Sequence, residues 1–159
     1  MSNFVVYIHV EPFVRQWLIH AFGYPVEFPA QSAENATIRI FLMRQPDNVI
    51  PKHDENDIAV NIPWSKAKDP RTFNYLSKHG RDAVVEVIED NFKRNMWAEL
   101  SQSLFEEKVK VTTAVYAWCE KHGIDIEYGD TIRQRFYRMR NSYTKKGVDM
   151  MRHSKIYDE

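Results

Sequence analysis

The sequence predicts an α+β protein in which a small N-terminal α/β unit is followed by an all-helical C-terminal module. Runs typical of strands lie in the first 63 residues, whereas apolar residues recur at helical spacing from residue 80 onward. We therefore predict an α/β unit of about three strands and one or two helices over residues 1–63, a connector with a short helix over 64–79, a three-helix module over 80–148 and a flexible tail over 149–159.

Composition limits the classes of protein to which the chain can belong. Its 159 residues suit one domain or one small domain with an appended module, and 43% hydrophobic residues are enough for a core. The single cysteine, Cys119, excludes an intramolecular disulfide and a zinc site built from several cysteines, and it favours a reduced, cytoplasmic setting. No apolar run approaches the roughly 20 residues that cross a bilayer, so we expect no membrane partner.

The chain contains none of the common catalytic or cofactor motifs. We find no glycine-rich phosphate loop, dinucleotide fingerprint, nucleophile elbow or paired metal-binding histidines. His53 lies among acidic residues, but a solvated acidic loop is the simpler interpretation of that segment. Cys119 is interpreted as a buried packing residue rather than a nucleophile, although His122 is close in sequence. We therefore expect no cofactor, no metal and no enzymatic activity.

The N-terminal unit begins with a strand and a helix. Residues 4–10 (FVVYIHV) are β-branched and aromatic, which predicts a buried strand. Pro12 suits the first position of a helix and Gly23 suits its end, so a helix is predicted between them. Residues 25–29 are predicted to form a short edge strand.

The rest of the N-terminal unit is less regular. Over residues 33–44, three apolar residues alternate as in a strand, yet Ser32 followed by Glu34 indicates a helix start, and we favour the helix. Residues 45–56 are polar and contain two prolines, which predicts a loop. Residues 57–62 alternate apolar and polar side chains, which predicts a half-buried strand.

Two helices are predicted in the middle of the chain. Asp69 has the form of an N-cap, and Pro70 follows it at the first helical position, so a short helix is predicted through Leu76. A longer helix is predicted over residues 80–102, where apolar residues recur on one side.

Two further helices complete the module. Ser103 and Glu106 fit a capping box, which predicts that a new helix starts there and ends at Gly123. The last helix is predicted to open near Asp130, as N-cap, and to end near Gly147.

This last helix carries an excess of positive charge. The formal net charge of the chain is zero, but residues 131–155 hold eight basic residues and one acid, while residues 1–130 hold 14 basic and 19 acidic residues. A basic segment in a neutral protein is typical of a surface that meets a polyanion.

The helix separates this charge from an apolar side. At the ideal 100° per residue, four apolar residues fall within a stripe about 60° wide; they are Ile132, Phe136, Met139 and Tyr143. The opposite face has the chemistry that reads DNA, because arginine pairs with guanine, and asparagine or glutamine with adenine. The candidates for contacts with bases are Gln134, Tyr137, Arg138 and Asn141. The candidates for phosphate contacts are Arg133, Arg135, Arg140, Lys145 and Lys146.

Three stretches also resemble known proteins: KDPRTFNYL at residues 68–76, YAWCEKHGI at 116–124 and RQRFYRMRNSY at 133–143. Residues 80–147 look like a helix-turn-helix or homeodomain-like module, and the whole chain more loosely resembles small uncharacterised proteins of bacterial mobile elements and prophages. The resemblance supplies context rather than a function. From the chemistry of the last helix we predict a DNA-binding protein, a small bacterial or phage transcriptional regulator. The seven residues that join the last two helices depart from the three or four of a tight helix-turn-helix.

Other interpretations of the basic helix stay open. An ordinary solvated face has a similar composition, and the helix could instead dock on an acidic protein partner in a larger assembly. RNA is a variant of the nucleic-acid hypothesis, although DNA is favoured. A homodimer is also considered, because the open edges of the N-terminal strands could pair with a second copy. A small enzyme of an unrecognised type ranks below all of these.

Overall fold

A computed structural model describes residues 4–146 of the chain. The chain divides into two compact units, Met1–Asn91 and Phe92–Glu159, which we call the N-terminal and C-terminal units. The division falls inside a long helix, whereas the sequence suggested a connector over residues 64–79. The predicted tail over residues 149–159 and the predicted helix end at Gly147 lie outside the described residues. None of the helices within residues 4–146 has the length and apolar character to cross a membrane.

The chain is mixed α and β, as predicted, with all four strands of its described part in the N-terminal unit. The elements of that unit are β1 (Val5–Ile8), α1 (Pro12–Phe22), α2 (Ala33–Phe41), β2 (Met43–Arg44), β3 (Ile58–Asn61), β4 (Phe73–Tyr75) and the first part of α3 (Lys78–Glu107). β1 pairs antiparallel with β3, with Val6 opposite Val60, and β2 pairs antiparallel with β4. The result is a pair of two-stranded sheets.

The sequence signals that predicted the starts of the first two helices, and the end of the first, are confirmed. Pro12 is the first residue of α1, and Gly23 follows its end with a φ of 78°, a conformation that glycine adopts without strain. The Ser32 hydroxyl accepts a hydrogen bond from the Asn35 backbone N–H at 3.1 Å, so the helical interpretation of residues 33–44 is right as far as Phe41.

Two expectations for the N-terminal unit are wrong. The edge strand over residues 25–29 reduces to one bridge between Val26 and Val60. The short helix at Asp69 does not form. The Asp69 carboxylate accepts a hydrogen bond from the Arg71 backbone N–H and caps a single turn, after which the chain extends into β4. Pairing with β2 overrides the local N-cap and proline signals, and neither β2 nor β4 was predicted.

The regular secondary structure in the described part of the C-terminal unit is helical. It contains the end of α3, then α4 (Val111–Lys121), a 3₁₀ turn (Ile126–Tyr128) and α5 (Gly129–Lys145). The buried hydrophobic side chains of its described part are Phe92, Met96, Trp97, Leu100, Ala114, Val115, Trp118, Cys119, Ile124, Ile132 and Phe136. Gly123 follows α4 with a φ of 69°, which confirms the predicted helix end.

The predicted helix boundary at Ser103 is wrong. Ser103 and Glu106 lie inside α3, which continues to Glu107 because the intervening residues are compatible with a helix and extend its hydrogen-bond ladder. The helix ends where Lys108 adopts a left-handed φ of 53°, and Lys110 stands at the N-cap of α4. Likewise, α5 starts at Gly129, so Asp130 lies in its first turn rather than at its N-cap.

Candidate nucleic-acid interface

The apolar side of α5 is packed into the C-terminal unit. Ile132 and Phe136 are fully buried, whereas Met139 and Tyr143 are half-buried. The Trp97 ring of α3 stacks on Phe136 with centroids 5.0 Å apart, and it also lies 4.9 Å from the Tyr143 ring. The predicted apolar stripe is therefore confirmed, most fully at Ile132 and Phe136, and its burial sets which side of α5 faces outward.

The nine residues proposed for nucleic-acid contact all lie on α5 or directly after it, but they differ in exposure. The exposed residues are Gln134, Arg138, Asn141, Lys145 and Lys146. The half-buried residues are Arg133, Arg135, Tyr137 and Arg140.

The two arginines nearest the start of α5 interact with other groups of the protein. Arg133 forms an ion pair with Asp130, with a distance of 3.1 Å between nitrogen and oxygen, and lies 3.4 Å from the Thr112 hydroxyl that accepts from it. Arg135 also interacts with another group of the chain. The i, i+3 spacing of Asp130 and Arg133 is a sequence signal for this pair that the prediction missed, because Asp130 was taken as a cap.

Arg140 lies over aromatic rings. Its guanidinium carbon is 5.0 Å from the centroid of the Tyr137 ring and 5.9 Å from that of Phe136. This cation–π geometry holds the planar guanidinium against the helix while leaving the charge without a carboxylate partner among residues 4–146. Tyr137 therefore supports Arg140, and its base contact stays a prediction.

The second half of α5 carries cations that the described part of the fold does not neutralise. Arg138, Lys145 and Lys146 are exposed, and none forms an ion pair with a carboxylate in residues 4–146. We call these residues and Arg140 the α5 basic patch. Residues 131–146 contain no acid, so the nearest carboxylate on this helix is that of Asp130 in its first turn. Cations near a helix C-terminus also interact favourably with the helix dipole, so the patch need not destabilise α5.

A second charged cluster in the C-terminal unit surrounds Glu99. Its carboxylate accepts hydrogen bonds from Trp118 Nε1 at 3.1 Å and Lys121 Nζ at 2.8 Å, and it lies 2.5 Å from His122 Nε2. Burial raises the pKa of Glu99, but the hydrogen bonds from Lys121 and His122 outweigh that effect and hold the pKa below its ordinary value. This cluster was not predicted, because its members come from two helices.

Cys119 lacks the environment of a nucleophile. Its side chain is fully buried, and burial raises the pKa of the thiol to about 11, so the reactive thiolate is scarce at neutral pH. His122, the candidate base, instead contacts Glu99.

The acidic loop before β3 makes contacts within the fold. The carboxylate of Asp57 lies 3.0 Å from His9 Nδ1 and accepts a hydrogen bond from the Asp54 backbone N–H. His53 stacks on the Tyr7 ring, with centroids 3.7 Å apart. In the described part of the chain, no three His, Cys, Asp or Glu side chains form a group that could hold a metal ion.

Comparison of the chain with protein-family models, with curated proteins and with solved structures finds no match to any of the three.

Proposed function

We propose that the protein binds DNA through the α5 basic patch and acts as a small bacterial or phage regulator rather than as an enzyme. The observation that carries the proposal is the division of α5 into two sides. Ile132 and Phe136 are buried against the C-terminal unit, while Arg138, Lys145 and Lys146 are exposed without a carboxylate partner in residues 4–146. A phosphate backbone supplies the counter-charge that this part of the fold does not.

The residues between the cations can add sequence preference. Asn141 is exposed beside Arg138 and Lys145 on the same face, and its amide can donate to and accept from an adenine. Gln134 is exposed one turn before Arg138 and offers the same pairing. We therefore assign Arg138, Asn141 and Gln134 to base contacts, and Arg140, Lys145 and Lys146 to phosphates.

Binding to a mixed-sequence DNA duplex, followed by fluorescence anisotropy over a range of salt concentrations, tests the proposal. The logarithm of the association constant should fall linearly with the logarithm of salt, with a slope of about 0.9 per phosphate neutralised. In the triple variant Arg138→Ala/Asn141→Ala/Lys145→Ala the slope should decrease by about 0.9, because Lys145 is the phosphate contact removed. The affinity should fall further, because the variant also loses the base contacts of Arg138 and Asn141.

A matched control removes the same residue types elsewhere. Asn48, Lys66 and Arg94 are exposed and lie outside α5, so the variant Asn48→Ala/Lys66→Ala/Arg94→Ala should bind DNA with an unchanged slope. Both triple variants should keep the melting temperature of the parent, since surface changes of this kind alter stability by only about 0.5 kcal/mol. The proposal fails if the two variants bind DNA equally well.

Two further ligands separate DNA from the competing partners. A single-stranded RNA of equal length tests whether unpaired bases are preferred. Poly-glutamate of equal charge tests whether any polyanion suffices, as expected for a helix that docks on an acidic protein. Preference for the duplex supports DNA, whereas equal or tighter binding of poly-glutamate contradicts it.

A further inference from the structure

The N-terminal unit contains a cavity that the proposed DNA contact does not use. It has a volume of about 480 Å³ and lies between β1 and β4, beneath the loop that joins β2 to β3. Its walls are residues 4–7, residues 74–76, parts of the loop over residues 45–53, and Arg81 of α3. This volume is within the range of about 300–1,000 Å³ that holds small-molecule ligands in proteins.

One wall of the cavity is aromatic and apolar. The Tyr7 and His53 rings are stacked almost in parallel, at an interplanar angle of 6°, and Tyr75 lines the cavity from β4. Val49 and Ile50 belong to the loop, and Ile50 is 81% exposed. A flat ring is the shape that such a wall accommodates, because it can stack on or meet the edges of the aromatic side chains.

The charged groups that line the cavity are cationic. They are Lys52 and Arg81, and no aspartate or glutamate is among the described lining residues. Neither cation forms an ion pair with a carboxylate in residues 4–146. One terminal nitrogen of Arg81 donates to the Leu76 carbonyl oxygen at 2.8 Å, which orients the guanidinium and leaves its other N–H groups for a ligand.

A neutral polar group completes the lining. Asn74 is half-buried in β4, and its side-chain amide makes no hydrogen bond to a residue of the described part of the chain. A cavity with an aromatic wall, few polar groups and charge of one sign discriminates among ligands by their charge as well as their shape.

From these features we propose that the cavity between β1 and β4 binds a small planar aromatic molecule with one anionic group, such as an aromatic carboxylate. The ring lies against Tyr7, His53 and Tyr75, and the carboxylate meets Arg81 and Lys52. This site is independent of the α5 basic patch and does not rest on DNA binding.

Three probes with the same ring and different charge test the inference: 2-naphthoate, 2-naphthamide and 2-naphthylmethylammonium. Each is titrated into the ¹⁵N-labelled full-length protein, and binding is followed by amide chemical shifts. Naphthoate should bind about tenfold more tightly than naphthamide, as one charge-assisted contact provides, and the ammonium should bind more weakly than both. The shifts caused by naphthoate should map to residues 4–7, 49–53 and 74–76.

Paired variants assign the charge preference to the cavity. Lys52→Gln should weaken naphthoate binding about threefold, while Lys66→Gln, which changes another exposed lysine outside the cavity, should leave it unchanged. Arg81→Gln should weaken binding about tenfold with loss of the naphthoate preference, and its melting temperature is recorded because Arg81 also binds Leu76.

Three results would overturn the inference. They are equal affinity for the three probes, identical behaviour of Lys52→Gln and Lys66→Gln, and naphthoate shifts that map to α5. Because the Arg138→Ala/Asn141→Ala/Lys145→Ala variant retains the cavity, it should bind naphthoate like the parent even if the parent does not bind DNA.

Discussion

The ring of Trp97 in α3 stacks on that of Phe136 in α5, with centroids 5.0 Å apart and an interplanar angle of 29°. Both side chains are buried, and Tyr143 contacts the same indole about two turns further along α5. An isolated helix of this length is marginally stable in water, so this packing holds α5 in place and points its basic patch outward.

Removal of the Phe136 ring should destabilise the protein strongly. Phe136→Ala should lower the free energy of unfolding by about 3–5 kcal/mol, because it removes a buried ring and leaves a cavity, whereas Phe136→Leu should lower it by only about 1.5 kcal/mol. Urea unfolding followed by tryptophan fluorescence measures both. Similar small losses in the two variants would show that α5 is not held by this contact.

Gly129 and Tyr116 should be energetically coupled. A Cβ added at Gly129 would lie 2.4 Å from the Tyr116 ring, although Gly129 has an ordinary helical backbone. Gly129→Ala should therefore stabilise the protein by about 0.5–1 kcal/mol in a Tyr116→Ala background, as alanine does within helices, but not in the parent. A double-mutant cycle measured by thermal or urea unfolding checks this. Equal effects of Gly129→Ala in both backgrounds would contradict the close approach.

Lys68 should contribute more to stability than an ordinary surface lysine. Its ammonium donates to the carbonyl oxygens of Arg39, Ile40 and Leu42 at 2.7, 3.0 and 2.8 Å, and so binds the open C-terminal end of α2. Lys68→Met keeps a long, unbranched side chain but removes the ammonium donors, and it should lower the free energy of unfolding by about 2 kcal/mol.

Lys66→Met is the matched control, because Lys66 is exposed and its ammonium makes no hydrogen bond to a residue within 4–146. Its effect should stay within about 0.5 kcal/mol. If both methionine variants unfold at the same urea concentration, the three contacts of Lys68 do not stabilise the native state.

The ionisation of Glu99 should make the stability of the protein depend on pH in the acidic range. Because its pKa is lowered in the folded protein, its contribution is fully present above the ordinary carboxyl pKa of 4.5 and is lost as the pH falls from there through the lowered value. Glu99→Gln should therefore be less stable than the parent at about pH 7, with a gap that narrows towards about pH 3. The urea midpoints of both proteins at the two pH values measure this difference in stability. A difference that stays constant with pH would mean that it does not come from the ionisation of Glu99.

Local patterns predicted most of the helices correctly. Pro12 and Gly23 mark the two ends of α1, Ser32 caps α2, and Gly123 follows α4. These signals could be predicted because each residue acts on backbone groups within a few positions of itself. The apolar side of α5 was equally predictable, since helical periodicity alone places Ile132 and Phe136 on one side.

Patterns that depended on a distant partner were predicted wrongly or missed. Asp69 and Pro70 look like a helix start, yet the chain extends so that β4 can pair with β2. Ser103 and Glu106 match a capping box but lie inside α3. In both cases the local preference is worth about 1 kcal/mol, which strand pairing or continued helix formation and packing can exceed.

The sequence by itself determined the α+β class, most helix ends, the buried side of α5 and the location of the positive charge, because these follow from spacing along one segment. Only the tertiary structure decided that Arg138 and Lys145 remain exposed, that Lys68 binds the end of α2, and that Glu99 meets His122. It alone brought Tyr7, His53 and Arg81 around one cavity. The physical reason is that side chains far apart in the chain meet only after the packing of helices and strands is set, and no local spacing encodes that meeting.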